Sequence, residues 1–433
     1  MILLFFIWFS MDTHFDNLKN INSDSNFMNY FLAFRFLMPY LLLLFIFVFY
    51  KKIQIHTNNK MLNYILFFLF CNFCIQGISL FIYNNNIVYI NYILLCIISL
   101  IIFTNFFNLN FEKQAFIVSL SILTAVLLYF GGFLFLWYFF IDLNNETNLY
   151  GSWPSNYNII KNFSNNMPRS SGLGRDALII LIPTILAIIV KNKINFFYYF
   201  SICCNFFLIF ATQSRTVVTV TICFLVIFLA YIFLCNKNLI DCLKKIFVLF
   251  FIPFLFITFV VQLKIYKTEY TFHKLNSISL GSNNSKTTNA TNKAFIRIVD
   301  PKSFTSRRLD DWKDILAKNT NKFFGNGVMG DRILINQTAS NIFLYNYASG
   351  GIASIILFGL VMLRSFFICS KIILLYEKIP NNNNILILSA CFIQLFLLAR
   401  GLLETSFAVF GIDFLIFFSA YFFSEKYYSK KMN

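Results

Sequence analysis

The sequence predicts an all-α fold: a polytopic transmembrane helix bundle of about 11–12 spans with one long extracytoplasmic loop. Composition is the first sign. Of the 433 residues, 58% are hydrophobic and only 12% charged, whereas a soluble domain carries about 25% charged residues. The second sign is the length of the apolar runs, many of which reach the roughly 20 residues that a helix needs to cross hydrocarbon. The third is the placement of lysine and arginine, which fall in alternate connections as the positive-inside rule requires.

The first residues, Met1 to Phe9, are apolar but shorter than a span. They lack the basic flank and small-residue cleavage site of a signal peptide. A truncated or interfacial helix, or the remnant of a further span, is expected there. After a polar stretch at 12–26, apolar windows place spans at 27–50, 61–83, 87–108, 115–141, 174–190, 194–211, 216–235, 246–263, 338–363, 385–400 and 404–423. Polar punctuation justifies the ends. Lys51 and Lys52 close the first span and Lys60 opens the second; Asn84-Asn85-Asn86 separates the second from the third, and Lys113 precedes the fourth. Arg175 and Asp176 open the fifth, Lys191 and Lys193 follow it, and Thr212-Gln213-Ser214-Arg215-Thr216 joins the sixth to the seventh. Lys237, Lys244 and Lys245 precede the eighth, Arg364, Lys371 and Lys378 follow the ninth, and Arg400 and Glu404 flank the boundary between the last two. No internal repeat or heptad is visible, and no paired, broken helices of the transporter kind are expected.

If the segment after the first span is cytoplasmic, these lysines, Arg364, Lys426, Lys430 and Lys431 all fall inside. The carboxy terminus is then inside and the 264–337 loop outside. The net charge of +17 thus reads as a topology signal rather than a nucleic-acid surface. The chain divides into an N-terminal bundle, 1–263, with a short outer loop near 142–173; the long loop, 264–337; and the C-terminal helices and tail, 338–433.

The ten cysteines fall in spans or short inner segments. Cys71-x-x-Cys74 sits in an apolar run, without the exposure that a redox or zinc pair needs, so buried thiols are expected. His14, His56 and His273 are far apart and lack a carboxylate cluster, so neither a metal site nor a cofactor is expected. Asn-x-Ser/Thr triplets, as at Asn145, Asn162, Asn283, Asn289 and Asn336, accompany a high asparagine content and read as chance. Gly325-x-Gly327-x-x-Gly330 has the letters of a dinucleotide motif but no preceding strand. It reads as turns that bring the loop back to the membrane.

Charges at span ends are informative, because a charged side chain in hydrocarbon costs about 2.5–3.5 kcal/mol on insertion scales. Arg169, Arg175, Arg215, Arg308, Arg400 and Glu404 are all expected on the outer face. Arginine stays charged and bonds phosphate in a bidentate manner, so this group suits a multivalent anion such as a pyrophosphate at headgroup level. The bland reading is snorkelling or local pairing. Arg400 and Glu404, at i,i+4, form a credible helix salt bridge, and Arg35 and Asp413, which lie deeper, are expected to be a structural pair.

Three stretches carry a resemblance to the O-antigen ligase and O-antigen polymerase superfamily of bacterial envelope glycan proteins. One is Thr212-Gln213-Ser214-Arg215-Thr216, ahead of an apolar span. The second begins Ser306-Arg307-Arg308-Leu309-Asp310-Asp311-Trp312 and continues through Phe324-Gly325-Asn326-Gly327 and Asn341 to Gly350-Gly351-Ile352. It resembles the family's Arg-x-x-x-Trp, Gly-x-Gly and His-Asn pattern, followed by a glycine just inside the next helix. The third runs from Arg400 to Asp413, and Arg169-Ser170-Ser171-Gly172-Leu173 is similar to a loop found in many polymerases. Where the family's ligases carry a histidine before the asparagine, this chain has Ser340, which favours a polymerase.

The resemblance implies metal-independent glycosyl transfer at the outer face of the bacterial inner membrane, from a glycan on undecaprenyl pyrophosphate. It implies catalytic roles for Arg215 and Arg308 at the pyrophosphate and for Glu404 as general base. Arg169, Arg175, Asn341 and Arg400 are expected to bind substrate, and Asn341 alternatively to orient its loop. Implied partners are the lipid-linked oligosaccharide, membrane lipid and a chain-length regulator protein. The other readings are a ligase acting on lipid A core and, from a different class, a flippase or secondary transporter.

Overall fold

The computed structural model describes residues 1–15, 26–50, 53–83, 89–136, 170–190, 196–212, 215–235, 239–259, 308–375 and 382–432. All regular structure among them is helical. In chain order the helices are α1 (Ile2–Phe15), α2 (Asn26–Tyr50), α3 (Lys60–Tyr83), α4 (Ile90–Asn108), α5 (Glu112–Leu136), α6 (Ser170–Val190), α7 (Phe196–Thr212) and α8 (Arg215–Cys235). They continue as α9 (Leu239–Ile246), α10 (Arg308–Lys318), α11 (Gly330–Ile335), α12 (Ile342–Leu375), α13 (Asn382–Gly401) and α14 (Ile412–Met432). Among the described residues, α3, α4, α5, α6, α12 and α13 are each long and apolar enough to cross a membrane. The chain is therefore a multi-pass α-helical membrane protein.

The chain forms two compact units that are not contiguous in sequence. Unit 1 comprises Met1–Val126, Thr219–Phe224 and Asp311–Asn433; unit 2 comprises Leu127–Val218 and Leu225–Asp310.

Unit 1 is built round α14, which is buried on every face from Ile412 to Glu425. A helix that is apolar all round belongs in a core. Phe414, Phe417, Phe418, Tyr421 and Phe422 fill it. Phe417 stacks on Phe407 at 3.9 Å, Phe422 on Phe103 of α4 at 5.7 Å and Phe423 on Phe116 of α5 at 5.8 Å. The N-terminal apolar run, expected to be a truncated or interfacial helix, is instead a packed part of this core. Phe5, Trp8 and Phe9 of α1 are fully buried. Phe5 meets Phe103 and Phe106 edge-on, and Trp8 stacks on Phe410. Aromatic pairs of this kind contribute about 0.5–1.5 kcal/mol each, and several of them hold so short a segment in place.

Polar groups on a buried helix need partners. Near one end of α14, Asp413 pairs with Arg400 of α13; near the other, Glu425 pairs with Arg364 of α12 at 2.9 Å and accepts a bond from Asn59. The Glu425 end also gathers Lys60, Lys371, Lys426 and Lys430, with Lys426 donating to the Phe107 carbonyl. Among the described residues, Lys60, Arg364, Lys371, Lys426 and Lys430, which the alternation of spans placed on one side, thus lie at one end. α12 runs on to Leu375, past the expected end at 363, because Arg364 is neutralised by Glu425 rather than marking a helix boundary. Conversely, α14 starts at Ile412, and 404–411 form a corner with one 3-10 turn, Ser406–Ala408.

The segment 319–331 is where the fold departs furthest from expectation. It does not turn over the outer surface. It inserts beside a break in α12, where Gly351 has φ 65° and ψ −158°. The break frees backbone groups that the inserted segment satisfies. Asn326 N–H donates to the Ala348 carbonyl at 2.8 Å and Gly327 N–H to that of Ser349 at 2.9 Å. In return, Ile352 N–H donates to the Lys322 carbonyl and Ala353 N–H to that of Phe323. Irregular backbone at membrane depth is stable only when its polar groups are met by protein in this way. The glycines are required by contact: a Cβ on Gly327 would lie 2.6 Å from the Leu80 Cα of α3, and one on Gly351 2.1 Å from the Phe323 carbonyl oxygen. A broken helix is therefore present, contrary to expectation. Behind it, Asn72 and Gln76 of α3 join Asn346 and Ser354 of α12 in a buried amide–hydroxyl network.

Unit 2 contains α6 and α7, packed along one another, and α9. The buried Lys245 Nζ of α9 donates to the Ile189 carbonyl at the end of α6. α9 continues through a π-helical stretch, Phe247–Phe251, into 252–259. Pro253, which lacks an N–H and crowds the carbonyl four residues back, accounts for the wide turn.

Candidate functional site

The corner between α13 and α14 brings together three of the seven residues singled out in the sequence. Arg400 lies in the last turn of α13, where a cation complements the helix dipole. Its carbonyl accepts the N–H groups of Leu403 and Glu404 at 2.9 and 2.8 Å, so the chain curls back over it. That curl sets the Glu404 carboxylate on Arg400 Nη2, while Nη1 reaches Asp413 in the first turn of α14. Arg400 is 5% exposed, so its charge is spent on these two carboxylates. Its expected role in gripping a substrate anion is replaced by an internal one. Glu404 remains partly exposed at the corner, its side chain 23% accessible. The deep partner expected for Asp413 was Arg35; the partner seen is Arg400, and the Arg35 side chain lies outside the described residues.

Asn341 completes the group. Its Oδ1 accepts the N–H of Phe343 at 2.7 Å and of Leu344 at 3.3 Å, capping α12, and its Nδ2 donates to the Leu402 carbonyl at 2.9 Å. One side chain thus closes a helix start and ties it to the Arg400 corner. Just upstream, Asp331 of α11 is 1% exposed. Its oxygens accept from Arg332 N–H at 2.9 Å and from Ala339 N–H at 2.7 Å, closing the loop that leads to Asn341. Burial pushes its pKa up, and these bonds together with the Arg332 charge pull against that shift.

The other candidates belong to unit 2. Arg175 bonds its neighbour Asp176 through Nε at 2.8 Å. Arg215 is the first residue of α8 and Arg308 the first of α10; Arg308 is half-buried, and the Arg215 side chain lies outside the described residues. Both thus open helices, where unpaired backbone N–H groups favour an anion. Arg169, the outer loop near 142–169 and the 264–307 stretch, with His273, lie outside the described residues.

No family model, curated protein or solved structure matches the chain. Among the described residues, no group of three His, Cys, Asp or Glu side chains is placed to hold a metal ion. Cys71 and Cys74, expected to be buried, are half-buried free thiols, because α3 turns part of its circumference outward. Sequence reasoning missed Asp331 and the Asn72–Gln76 network. The i,i+4 spacing of two amides inside an apolar span was the available signal. Asp331 had none, since its role depends on the tertiary insertion.

Proposed function

We propose that the chain is a polysaccharide repeat-unit polymerase of a bacterial inner membrane, transferring a growing glycan from undecaprenyl pyrophosphate to the acceptor sugar of another lipid-linked repeat. The observation that carries the reading is the gathering of Asn341, Arg400 and Glu404 at the end of unit 1 remote from its lysine-rich end. On the positive-inside rule that end faces outward. The order of short motifs along the chain, from Ser214-Arg215 to Glu404, also resembles that of the polymerase and ligase superfamily.

In the proposed reaction an acceptor hydroxyl attacks the anomeric carbon of the donor glycan. The bond from that carbon to the lipid pyrophosphate breaks, and the pyrophosphate leaves with the electron pair. Glu404 takes the hydroxyl proton, held in place by Arg400, which becomes a positioning residue. Arg215 and Arg308 stabilise the charge that develops on the leaving pyrophosphate, which is where preset charges act most strongly on rate. Arg169 and Arg175 contact the remaining phosphate or glycan oxygens. Arg215→Ala or Arg308→Ala should abolish chain extension at unchanged protein level. Wild-type glycan length in either variant removes that residue from the mechanism. Glu404→Gln should match Glu404→Ala; full activity in the former removes it as the base.

The gel pattern of a deletion strain separates the two closest readings. Loss of a polymerase leaves core capped by one repeat, and loss of a ligase leaves bare core. The break in α12 favours a reading from another class, a transporter, since such proteins use discontinuous helices at their substrate sites. Elongation of lipid-linked repeats by purified protein without a gradient supports the enzyme and eliminates a pure transporter.

A further inference from the structure

The inserted segment of unit 1 carries a surface that the proposed glycan chemistry does not use. The Lys322 carbonyl is bonded to Ile352 N–H, and the Phe323 carbonyl to Ala353 N–H. Ile352 is the first residue after the break at Gly351 and opens the remainder of α12, Ile352–Leu375, which is about 36 Å long at about 1.5 Å per residue. The hydrocarbon core is about 30 Å thick. Residues 322–324 therefore sit beside the start of a stretch of α12 that is long enough to cross that core by itself. There Phe323 is 59% exposed and Phe324 48%, their rings edge to face at 4.9 Å. Ile352 at 45% and Ile356 at 57% continue the exposed face along α12. The patch is thus continuous with the membrane-facing surface of a spanning helix.

Lys322 is exposed beside these rings. A lysine beside hydrocarbon is costly unless its ammonium reaches a polar partner. Its neighbour Lys318 has Asp314 at 3.2 Å. Among the described residues, no carboxylate pairs with Lys322 in the same way. The flexible four-carbon stem allows the ammonium to snorkel toward headgroup level while the stem covers apolar surface. A single bilayer molecule matches both halves of this surface: an apolar chain for the rings and isoleucines, and a negative phosphate for the ammonium.

We propose that Lys322, Phe323 and Phe324, with Ile352 and Ile356, form a binding site for a phospholipid with an anionic headgroup. Its phosphate bonds Lys322 and one acyl chain lies over Phe323, Phe324 and the two isoleucines. The site requires only that the chain span a membrane, and does not rest on the glycan-transfer reading. Occupancy keeps water from the backbone bonds that join the inserted segment to the α12 break.

The test uses full-length protein in phosphatidylcholine vesicles containing either a photoactivatable phosphatidylglycerol or the matching photoactivatable phosphatidylcholine. Labelled peptides are then mapped by mass spectrometry. Peptides spanning 322–324 and 352–356 should take up the phosphatidylglycerol probe about fivefold more than the phosphatidylcholine probe, the ratio expected of one lysine near an anionic lipid. Lys322→Gln should bring the ratio to about one, and Lys322→Arg should retain it. Phe323→Ala with Phe324→Ala should lower labelling of 352–356 by both probes. Labelling of α3 peptides serves as the internal reference for a folded, inserted chain. Equal labelling by the two lipids in the wild type, or an unchanged ratio in Lys322→Gln, overturns the proposal.

Discussion

Arg400 reaches Asp413 across the corner between α13 and α14, a contact of 2.5 Å between side chains that are 6% and 8% accessible. Glu404 takes the other guanidinium nitrogen. A buried pair is a modest net stabiliser while intact, because desolvation offsets most of the Coulomb attraction. Removing one member of such a pair takes away its main counter-charge, at a cost of about 3–5 kcal/mol. Arg400→Met should therefore lower the thermal unfolding temperature of the purified protein, whether or not substrate is present. Arg400→Met combined with Asp413→Leu should recover much of that loss. An Arg400→Met protein of wild-type stability, impaired only in substrate affinity, would sink the internal role assigned here.

Hydropathy placed most of the spans, because the penalty for exposing backbone or charge to lipid acts locally and along the chain. What it could not place were pairings between distant segments. Arg364 looked like the end of a span in sequence; with Glu425 beside it, α12 passes straight through to Leu375. Gly350-Gly351 read as glycines inside an ordinary helix, since nothing local reveals that Asn326 and Gly327 will meet the freed carbonyls. At the candidate site, Glu404 beside Arg400 was legible as an i,i+4 spacing. Asp413 as the second partner was not, because it arrives from the next helix.

Two glycines of α12 separate required conformation from mere tolerance. Gly351 occupies a backbone region essentially closed to other residues, with the Phe323 carbonyl where a Cβ would go. Gly351→Ala should cost at least about 3 kcal/mol from backbone strain and displacement of the inserted segment. Eight residues on, Gly359 has nothing within 4 Å of its Cβ position. Gly359→Ala should be stabilising by about 0.5–1 kcal/mol, the helix preference for alanine. Thermal unfolding of both variants checks the contrast; similar effects in the two would show that the break in α12 is not a fixed feature.

Asp331 gives stability a pH dependence whose sign is set by burial. Its folded pKa is raised above the ordinary 3.8. The folded state therefore holds the proton more tightly than the unfolded chain. The stabilisation is complete below about pH 3.8 and is lost as pH rises through the folded value. The groups that face the carboxylate include Arg332, whose N–H and charge oppose the shift, Ala339 N–H and the Tyr345 side chain. Asp331→Asn is neutral at every pH and keeps an acceptor oxygen. From acid toward neutral pH the variant should gain stability relative to the wild type. Melting curves that stay parallel across that range would remove Asp331 as the source.

Asn341 distinguishes a structural cap from a substrate contact. Its side-chain oxygen serves two N–H groups of the first turn of α12 and its amide serves Leu402. Asn341→Ala should cost about 1 kcal/mol for the lost cap and loosen the tie to the Arg400 corner. Asn341→Ser restores an acceptor at the cap but is too short to reach Leu402. Asn341→Asp keeps the acceptors and loses the donor, while its negative charge favours the helix start. If Asn341 acts as a cap, unfolding temperature and glycan chain length should both rise in the serine and aspartate variants above those of the alanine variant, short of the wild type by the lost bond to Leu402. If the amide instead holds a sugar hydroxyl, both variants will be more stable than the alanine variant and still fail to extend the chain. Melting temperature and glycan length measured on the same three variants decide between these roles.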